Sequence, residues 1–292
     1  MLSSSIQNDR ISRQIPHPKR FMSLLEILIL AIVQGVTEFL PISSDGHLVI
    51  ADALLKARGH ATLTDGPERA QELIRVNIVL HLGTLLSVLI FFWRDIVRLA
   101  GADRRVIPLL IVGTIPAVII GLPLKFFGES ILTSPLLAGF MFPVTAGFLI
   151  WGARQPEGTL PYTQLSMGEA IKIGILQALA ILPGVSRSGT TISGGLGVGL
   201  DRRSAGTFAF LLAIPAISGA GVLELIDLLM ESDATTIPLN PIHLLLGAGA
   251  ACLVGLAALS LLIRWVQQGR LAIFAWYLVP LGIAVVTWRL LA

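Results

Sequence analysis

The fold is indicated by a broken apolar stretch at residues 170–200, AIKIGILQALAIL–PGVSRSGTT–ISGGLGVGL. Each apolar half is shorter than the roughly 20 residues that a helix needs to cross a bilayer core. The proline, glycine and serine residues between the halves favour irregular backbone. Such backbone is tolerated at membrane depth only where it is buried in protein or lines a water-filled cavity. The stretch therefore predicts a re-entrant hairpin, in which two short helices meet at a loop inside the membrane.

A second broken stretch lies at residues 24–55, LLEILILAIVQGVTEFL–PISSDGH–LVIADALL. Aligning Gly46 with Gly189 also places Ser43 on Ser186, which suggests that the two stretches are related. Interrupted hydrophobic segments in corresponding halves are typical of inverted-repeat membrane folds, whose binding site lies at the repeat interface. We therefore predict two inverted repeats.

The composition indicates an integral membrane protein. Of 292 residues, 54% are hydrophobic and only 13% are charged, whereas a soluble domain carries about 25% charged residues. The net charge of +3 does not indicate a nucleic-acid partner, because the basic residues lie between apolar runs. Six runs are long enough to span a bilayer: Val76–Trp93, Val106–Phe126, Pro135–Trp151, Ala205–Leu229, Ile242–Trp265 and Leu271–Leu291.

The predicted fold class is an all-α polytopic membrane protein with about six transmembrane helices and two re-entrant hairpins. A polar, basic extension covers residues 1–21, and one membrane domain covers residues 22–292, with repeats at about 22–151 and 168–292. Arginines concentrate in the connections on one side of the predicted spans, which the positive-inside rule makes cytoplasmic. The basic extension would lie on the other side if the first hairpin is re-entrant, and this tension stays open.

The first hairpin carries a candidate acid, base and metal site. Gln34 and Glu38 are four residues apart, so they share one face of a helix. Their oxygens suit a hard divalent cation. Alternatively, Glu38 acts as a general base, orients His47, or pairs with Arg187 in a purely structural role. Ionisable residues at membrane depth are usually functional.

The second hairpin carries a candidate phosphate site. Its loop, residues 183–191, supplies one guanidinium, four hydroxyls and two glycines. These groups suit a polyanion, because arginine and hydroxyl donors bind phosphate oxygens and a helix N-terminus follows. The loop lacks the ending of a nucleotide-binding P-loop. Two such hairpins facing each other favour hydrolysis of a lipid phosphate ester or anhydride. For His81, within a predicted span, the sequence favours neither a packing role nor membership of this site over the other.

At these residues the sequence closely resembles the undecaprenyl-diphosphatase family, the bacitracin-resistance proteins of bacterial membranes. The family's E/Q-x-x-x-E motif stands here as QGVTE, residues 34–38, and continues as FLPISSDGHL through residue 48. The P-G-x-S-R-S-x-x-T motif is complete at residues 183–191. The likeness runs from about Met22 to the C-terminus and leaves out residues 1–21.

The resemblance implies hydrolysis of undecaprenyl diphosphate to the monophosphate, which recycles the lipid carrier of cell-wall synthesis and confers bacitracin resistance. It also implies a divalent cation, Mg²⁺ or Ca²⁺, and a bacterial inner-membrane location with the site open to the periplasm. By position it implies catalytic roles for Glu38, His47, Ser44 and Arg187. The implied substrate-binding residues are Ser43, Gly184, Ser186, Arg187, Ser188, Gly189 and Thr191, and the implied metal ligands are Gln34 and Glu38.

Two positions of the first motif affect the predicted metal site. Gln34 stays within the E/Q-x-x-x-E pattern but removes one negative charge, whereas Asp45 stands where a small hydroxyl residue is expected. The extra carboxylate either restores a metal ligand or faces water.

Three further points stay open at this stage. The nucleophile is His47, Ser44 or water. A transporter or flippase of a polyprenyl phosphate lipid is the rival function, because broken helices also serve transport. The expected partners are the polyprenyl diphosphate lipid and the membrane, with a homodimer as an open option.

Overall fold

The protein is described by a computed structural model over residues 22–57, 67–230 and 240–291. The predicted extension, residues 1–21, lies outside these ranges. Within them the chain forms twelve α-helices and no strand, apart from one isolated bridge between Leu160 and Leu200. The helices are α1 Leu24–Thr37, α2 Ser44–Ala57, α3 Pro67–Phe91, α4 Trp93–Leu99, α5 Val106–Phe127, α6 Glu129–Leu132, α7 Pro135–Ala153, α8 Met167–Leu179, α9 Arg187–Gly197, α10 Arg202–Met230, α11 Pro241–Gln267 and α12 Ala275–Leu291.

The described helices confirm the all-α, multi-pass membrane fold. Five helical segments are long and apolar enough to cross a bilayer, and a bent pair, α3 with α4, makes up to six. Their lipid-facing sides expose large apolar side chains, among them Phe127 at 89% and Trp276 at 85%. Large apolar side chains exposed along helices of this length and hydropathy are typical of helices that lie in a bilayer.

The first predicted span ends at a bend. Residues 76–91 of the predicted run Val76–Trp93 lie in α3, and α4 begins at Trp93 at an angle of 76° to α3. Phe92 leaves the helical region (φ −99°, ψ 18°), and its buried ring packs on Phe91 and Phe210. The bend is therefore fixed by aromatic packing, because neither proline nor glycine lies at this position.

Both broken stretches form the predicted helix–loop–helix units, α1–α2 and α8–α9, and α8 packs against α9. Their re-entrant course in the membrane stays a prediction. The first helix of each begins with a capping box, in which Ser23 and Glu26, or Ser166 and Glu169, bond each other's backbone amides. The two hairpins thus begin with the same local signal.

The second hairpin enters and leaves at one end of the molecule. Just before α8, the Leu165 carbonyl accepts a bond from Arg105. Just after α9, Leu200 pairs with Leu160. Tyr162, between them, donates toward Asp95 and Asp103 at 3.3 and 3.4 Å. Burial, with these two carboxylates, raises the pKa of Tyr162 to about 12.

The long helices pack around the two hairpins. Helix α11 packs against α1, α5 packs against α8, and α7 contacts both α2 and α9. Close approach depends on small residues: at Gly174, a Cβ would collide with the backbone carbonyl of Gly113. Helix α1 of the first predicted repeat packs on α11 of the second, and α8 of the second packs on α5 of the first. This reciprocal arrangement is expected when each repeat contributes its hairpin to the other. The repeat boundaries stay a prediction.

Candidate active site

The loops of the two hairpins meet at Ser43. Its Oγ accepts hydrogen bonds from the N–H groups of Gly46 at 3.3 Å and of Gly184 at 3.1 Å. Ser43 itself adopts φ 67°, a conformation rare for residues other than glycine. One serine side chain therefore holds its own loop and fastens it to the loop of the other hairpin.

The contact between the loops is close enough to require glycine. A Cβ on Gly46 would lie 2.7 Å from the Gly184 nitrogen. Gly184 adopts φ 91°, which L side chains rarely take. Across the aligned loops, Ser186 accepts from Gly189 N–H as Ser43 accepts from Gly46 N–H. This shared turn supports the sequence alignment of the two loops.

Glu38 and Arg187 form an ion pair across the joined loops. Arg187 Nη2 donates to Glu38 Oε1, and Gln34 Nε2 donates to Glu38 Oε2 at 3.1 Å. The Glu38 side chain is only 4% exposed, while that of Arg187 is 26% exposed. Since a guanidinium carries five N–H donors, this exposure leaves Arg187 able to bind an anion while it holds the carboxylate.

His81 approaches the same carboxylate from α3. Its Nε2 lies 3.8 Å from Glu38 Oε2, and its Nδ1 lies 2.9 Å from the Asn77 carbonyl oxygen. His81 therefore belongs to the site, and the sequence pattern had left this residue undecided.

His47 lies on the same loop but has other neighbours. Its Nδ1 is 2.7 Å from the Ser43 carbonyl, and its Nε2 is 2.7 Å from the Tyr277 hydroxyl of α12. The ring also stacks on Tyr277 and packs against Phe142. Both ring nitrogens are thus engaged in this arrangement, and the catalytic role of His47 stays a prediction.

The hydroxyls of the predicted phosphate loop are buried and bonded within the loop. Ser186 caps α9 and shares a bond with Ser188, while Thr191 donates to the Arg187 carbonyl at 2.7 Å. Thr145 of α7 donates to the Gly184 carbonyl at 2.7 Å and accepts from Ser186 N–H at 3.1 Å. In this arrangement the predicted hydroxyls shape the loop, and Arg187 is its most exposed cationic group.

Comparison with known proteins now identifies the family. Residues 27–284 match the family described as "Bacitracin resistance protein BacA". The chain belongs to this family. The match includes every predicted site residue in both hairpins.

Several known proteins are similar in sequence to this chain over nearly their full length. An "Undecaprenyl-diphosphatase" from Rhodopirellula baltica is 48% identical over 263 residues, which covers 90% of this chain and 97% of that protein. The "Undecaprenyl-diphosphatase" from Methanosphaera stadtmanae is 36% identical, covering 90% and 96% respectively. The "Undecaprenyl-diphosphatase 4" from Bacillus cereus is 38% identical, covering 91% and 97%.

The donor set at the BacA site fits a cation that shares its ligands with a substrate. Among residues 22–57, 67–230 and 240–291, no three His, Cys, Asp or Glu side chains group as a metal cage. Mg²⁺, however, is commonly held by one or two carboxylates together with substrate phosphates. Glu38 supplies such a carboxylate, the Gln34 amide group supplies a neutral oxygen, and exposed Asp45 interacts electrostatically with Glu38. The cation stays a prediction.

Two residues of this BacA site were missed by sequence reasoning. Thr145 and Tyr277 contact the loops from α7 and α12, and the His47–Tyr277 contact joins positions 230 residues apart. No local pattern marks such partners. Ser44, in contrast, was predicted; it begins α2 beside the contact and is half-buried.

Gln177 shows how the two hairpins differ. It aligns with Gln34 and is 3% exposed, but neither its amide nitrogen nor its oxygen has a hydrogen-bond partner among the described residues. The position four residues later is Ile181, where the first hairpin has Glu38. The second hairpin therefore keeps the amide without the carboxylate that Gln34 bonds.

Proposed function

We propose that this protein hydrolyses undecaprenyl diphosphate to undecaprenyl phosphate and inorganic phosphate. The observation that carries the proposal is the Glu38–Arg187 pair, which brings an acidic group and a phosphate-binding group together at two joined loops. Membership of the BacA family and the names of its relatives support the substrate. The apolar spans suit a substrate with a long lipid tail.

The reaction is an in-line displacement at the terminal phosphorus. A nucleophilic oxygen or nitrogen attacks that phosphorus, its bond to the bridging oxygen breaks, and the lipid monophosphate leaves with the electron pair. When water is the nucleophile, its oxygen ends in inorganic phosphate and its proton is released with the products. Arg187 neutralises charge on the phosphoryl oxygens, with bonds that are stronger than those between neutral groups.

Glu38 keeps Arg187 in place before the substrate arrives. Because Glu38 is buried and also bonded by Gln34, its carboxylate is held in place. The bond from Arg187 to this carboxylate in turn holds the guanidinium in place. A group held ready for the transition state costs little reorganisation during the reaction. A divalent cation held by Glu38, Gln34 and the substrate oxygens would supply further neutralisation of the diphosphate.

The open choice of nucleophile concerns His47, Ser44 and water. Direct attack by His47 would leave an acid-labile phosphate on the imidazole. That route requires Nε2 to leave the Tyr277 hydroxyl, which lies 2.7 Å away. Rapid quenching in alkali, followed by detection of phosphohistidine, tests this route: a labelled His47 supports it, and single-turnover hydrolysis without a covalent species contradicts it.

We propose a bacterial inner-membrane location with the site open to the periplasm. The connections that carry Arg105 and Arg202 lie at the end where the second hairpin enters and leaves, which the positive-inside rule makes cytoplasmic. A homodimer stays a prediction.

A lipid flippase is the second candidate, favoured by helices that break at membrane depth. Purified protein in detergent separates the two functions, because hydrolysis needs no second leaflet and flipping does. Phosphate release from undecaprenyl diphosphate would be measured with Mg²⁺, Ca²⁺ or EDTA. Release by folded protein supports the diphosphatase, and its absence under every condition supports the flippase. Loss of release in EDTA, restored by Mg²⁺ or Ca²⁺, supports the predicted cation.

A further inference from the structure

One ring nitrogen of His81, Nε2, has no hydrogen-bond partner among the residues that the structure describes. Its Nδ1 lies 2.9 Å from the Asn77 carbonyl oxygen, which can only accept a hydrogen bond. The proton of neutral His81 therefore sits on Nδ1, and the lone pair sits on Nε2. Glu38 Oε2 lies 3.8 Å from Nε2, and the Asp45 carboxylate also interacts electrostatically with His81.

The separation of 3.8 Å is too long for a direct hydrogen bond between the two side chains. It is a spacing at which a small polar group, such as water, can bridge two side chains. Both atoms accept hydrogen bonds, so a water molecule can donate one O–H to each. The other carboxylate oxygen, Oε1, already binds Arg187, so the bridge would lie beside the guanidinium that receives the phosphate.

His47 and His81 differ in the number of ring nitrogens that have a hydrogen-bond partner among the described residues. His47 has Ser43 at one nitrogen and Tyr277 at the other, each at 2.7 Å. Among the described residues, His81 is hydrogen-bonded only at Nδ1, and its side chain is 24% exposed, which leaves access for a small molecule. The geometry at His81 is thus open on the side that faces Glu38.

We propose that His81 is a positioning residue for the hydrolytic reaction, whose Nε2 and the Glu38 carboxylate together hold the attacking water. The inference rests on the proposed diphosphatase function and makes water the nucleophile. His81 acts here as a hydrogen-bond acceptor of fixed direction. Its backbone bond to Asn77 sets that direction, and the Gln34 bond fixes Glu38 on the opposite side of the gap.

The test compares three substitutions of His81 in the full-length protein in detergent, with undecaprenyl diphosphate as substrate. His81→Ala and His81→Leu remove the acceptor, so kcat falls about 100-fold while KM stays near the wild-type value. His81→Gln restores an acceptor oxygen on a chain of similar length, so kcat recovers most of the loss. Leu82→Ala, next on α3 and 54% exposed, is the matched control and keeps wild-type kcat.

The outcomes separate the inference from the function on which it rests. Phosphate release by the wild type tests the diphosphatase, whatever the variants do. The inference is overturned if His81→Ala keeps wild-type kcat, or if His81→Gln is no more active than His81→Leu. A loss confined to KM also overturns it, because a residue that positions water acts on the chemical step. Thermal unfolding in detergent confirms that each variant is folded before its kinetics are compared.

Discussion

The loss of Arg187 should destabilise the protein more than the loss of Glu38, because the two side chains of this ion pair differ in exposure. Arg187→Gln removes the guanidinium and leaves a carboxylate whose side chain is 4% exposed. Breaking a buried pair in this way costs about 3–5 kcal/mol, because one charge stays buried without its partner. Glu38→Gln leaves the 26% exposed guanidinium instead, which water can reach, so the cost is about 1–3 kcal/mol.

These costs translate into measurable shifts in unfolding temperature. In a chain of this size, 1 kcal/mol corresponds to about 2–4 °C. Arg187→Gln should therefore lower the midpoint by on the order of 10 °C, and Glu38→Gln by about a third to a half of that shift. The double variant carries no buried charge at this position, so it should unfold at a higher temperature than Arg187→Gln alone.

The assay is thermal unfolding of the purified protein in one detergent, followed by intrinsic fluorescence. Arg104→Gln, at an exposed arginine outside the site, is the control and should stay within 2 °C, about 0.5 kcal/mol. The reasoning is refuted if Glu38→Gln destabilises the protein as much as Arg187→Gln. Strict additivity in the double variant would equally contradict a coupled pair.

Three further predictions concern the surroundings of the site. Thr145→Val leaves the Gly184 carbonyl without its Thr145 donor, so we expect a lower unfolding temperature, and an unchanged value would contradict this. Gly46→Ala would place a methyl group 2.7 Å from the Gly184 nitrogen and should reduce activity, while Gly168→Ala, whose added Cβ meets no atom within 4 Å, should leave activity unchanged. Because the pKa of Tyr162 is about 12 in the folded protein and 10.0 ordinarily, its stabilising contribution is complete below pH 10.0 and is lost as pH rises through about 12. The difference in unfolding temperature between wild type and Tyr162→Phe should shrink over that range, and a constant difference would contradict the assignment.

Local sequence signals were enough to predict the hairpins and the spans. Apolar length sets a span, and the breaks at Pro41 and Pro183 are visible without any partner. The same signals gave helix bounds close to those observed, such as Val106–Phe127 against the predicted Val106–Phe126. These features depend on neighbouring residues, so a single sequence contains them.

Contacts between distant segments could not be predicted in the same way. The bend at Phe92 depends on the ring of Phe210, and no helix-breaking residue marks it. The engagement of His47 depends on Tyr277 in the last helix. His81 carried a signal in its polarity within an apolar run, but only the fold shows that it faces Glu38.

The central claim is that the joined hairpin loops form a hydrolytic site for a lipid diphosphate. Its most direct test is to quantify both products, undecaprenyl phosphate and inorganic phosphate, for the wild type, Glu38→Gln and Arg187→Gln in detergent below their unfolding temperatures. The account predicts equal amounts of the two products from the wild type and almost none from either folded variant. Wild-type turnover that survives in both variants would contradict the account, because the pair joining the two loops would then play no part in the chemistry.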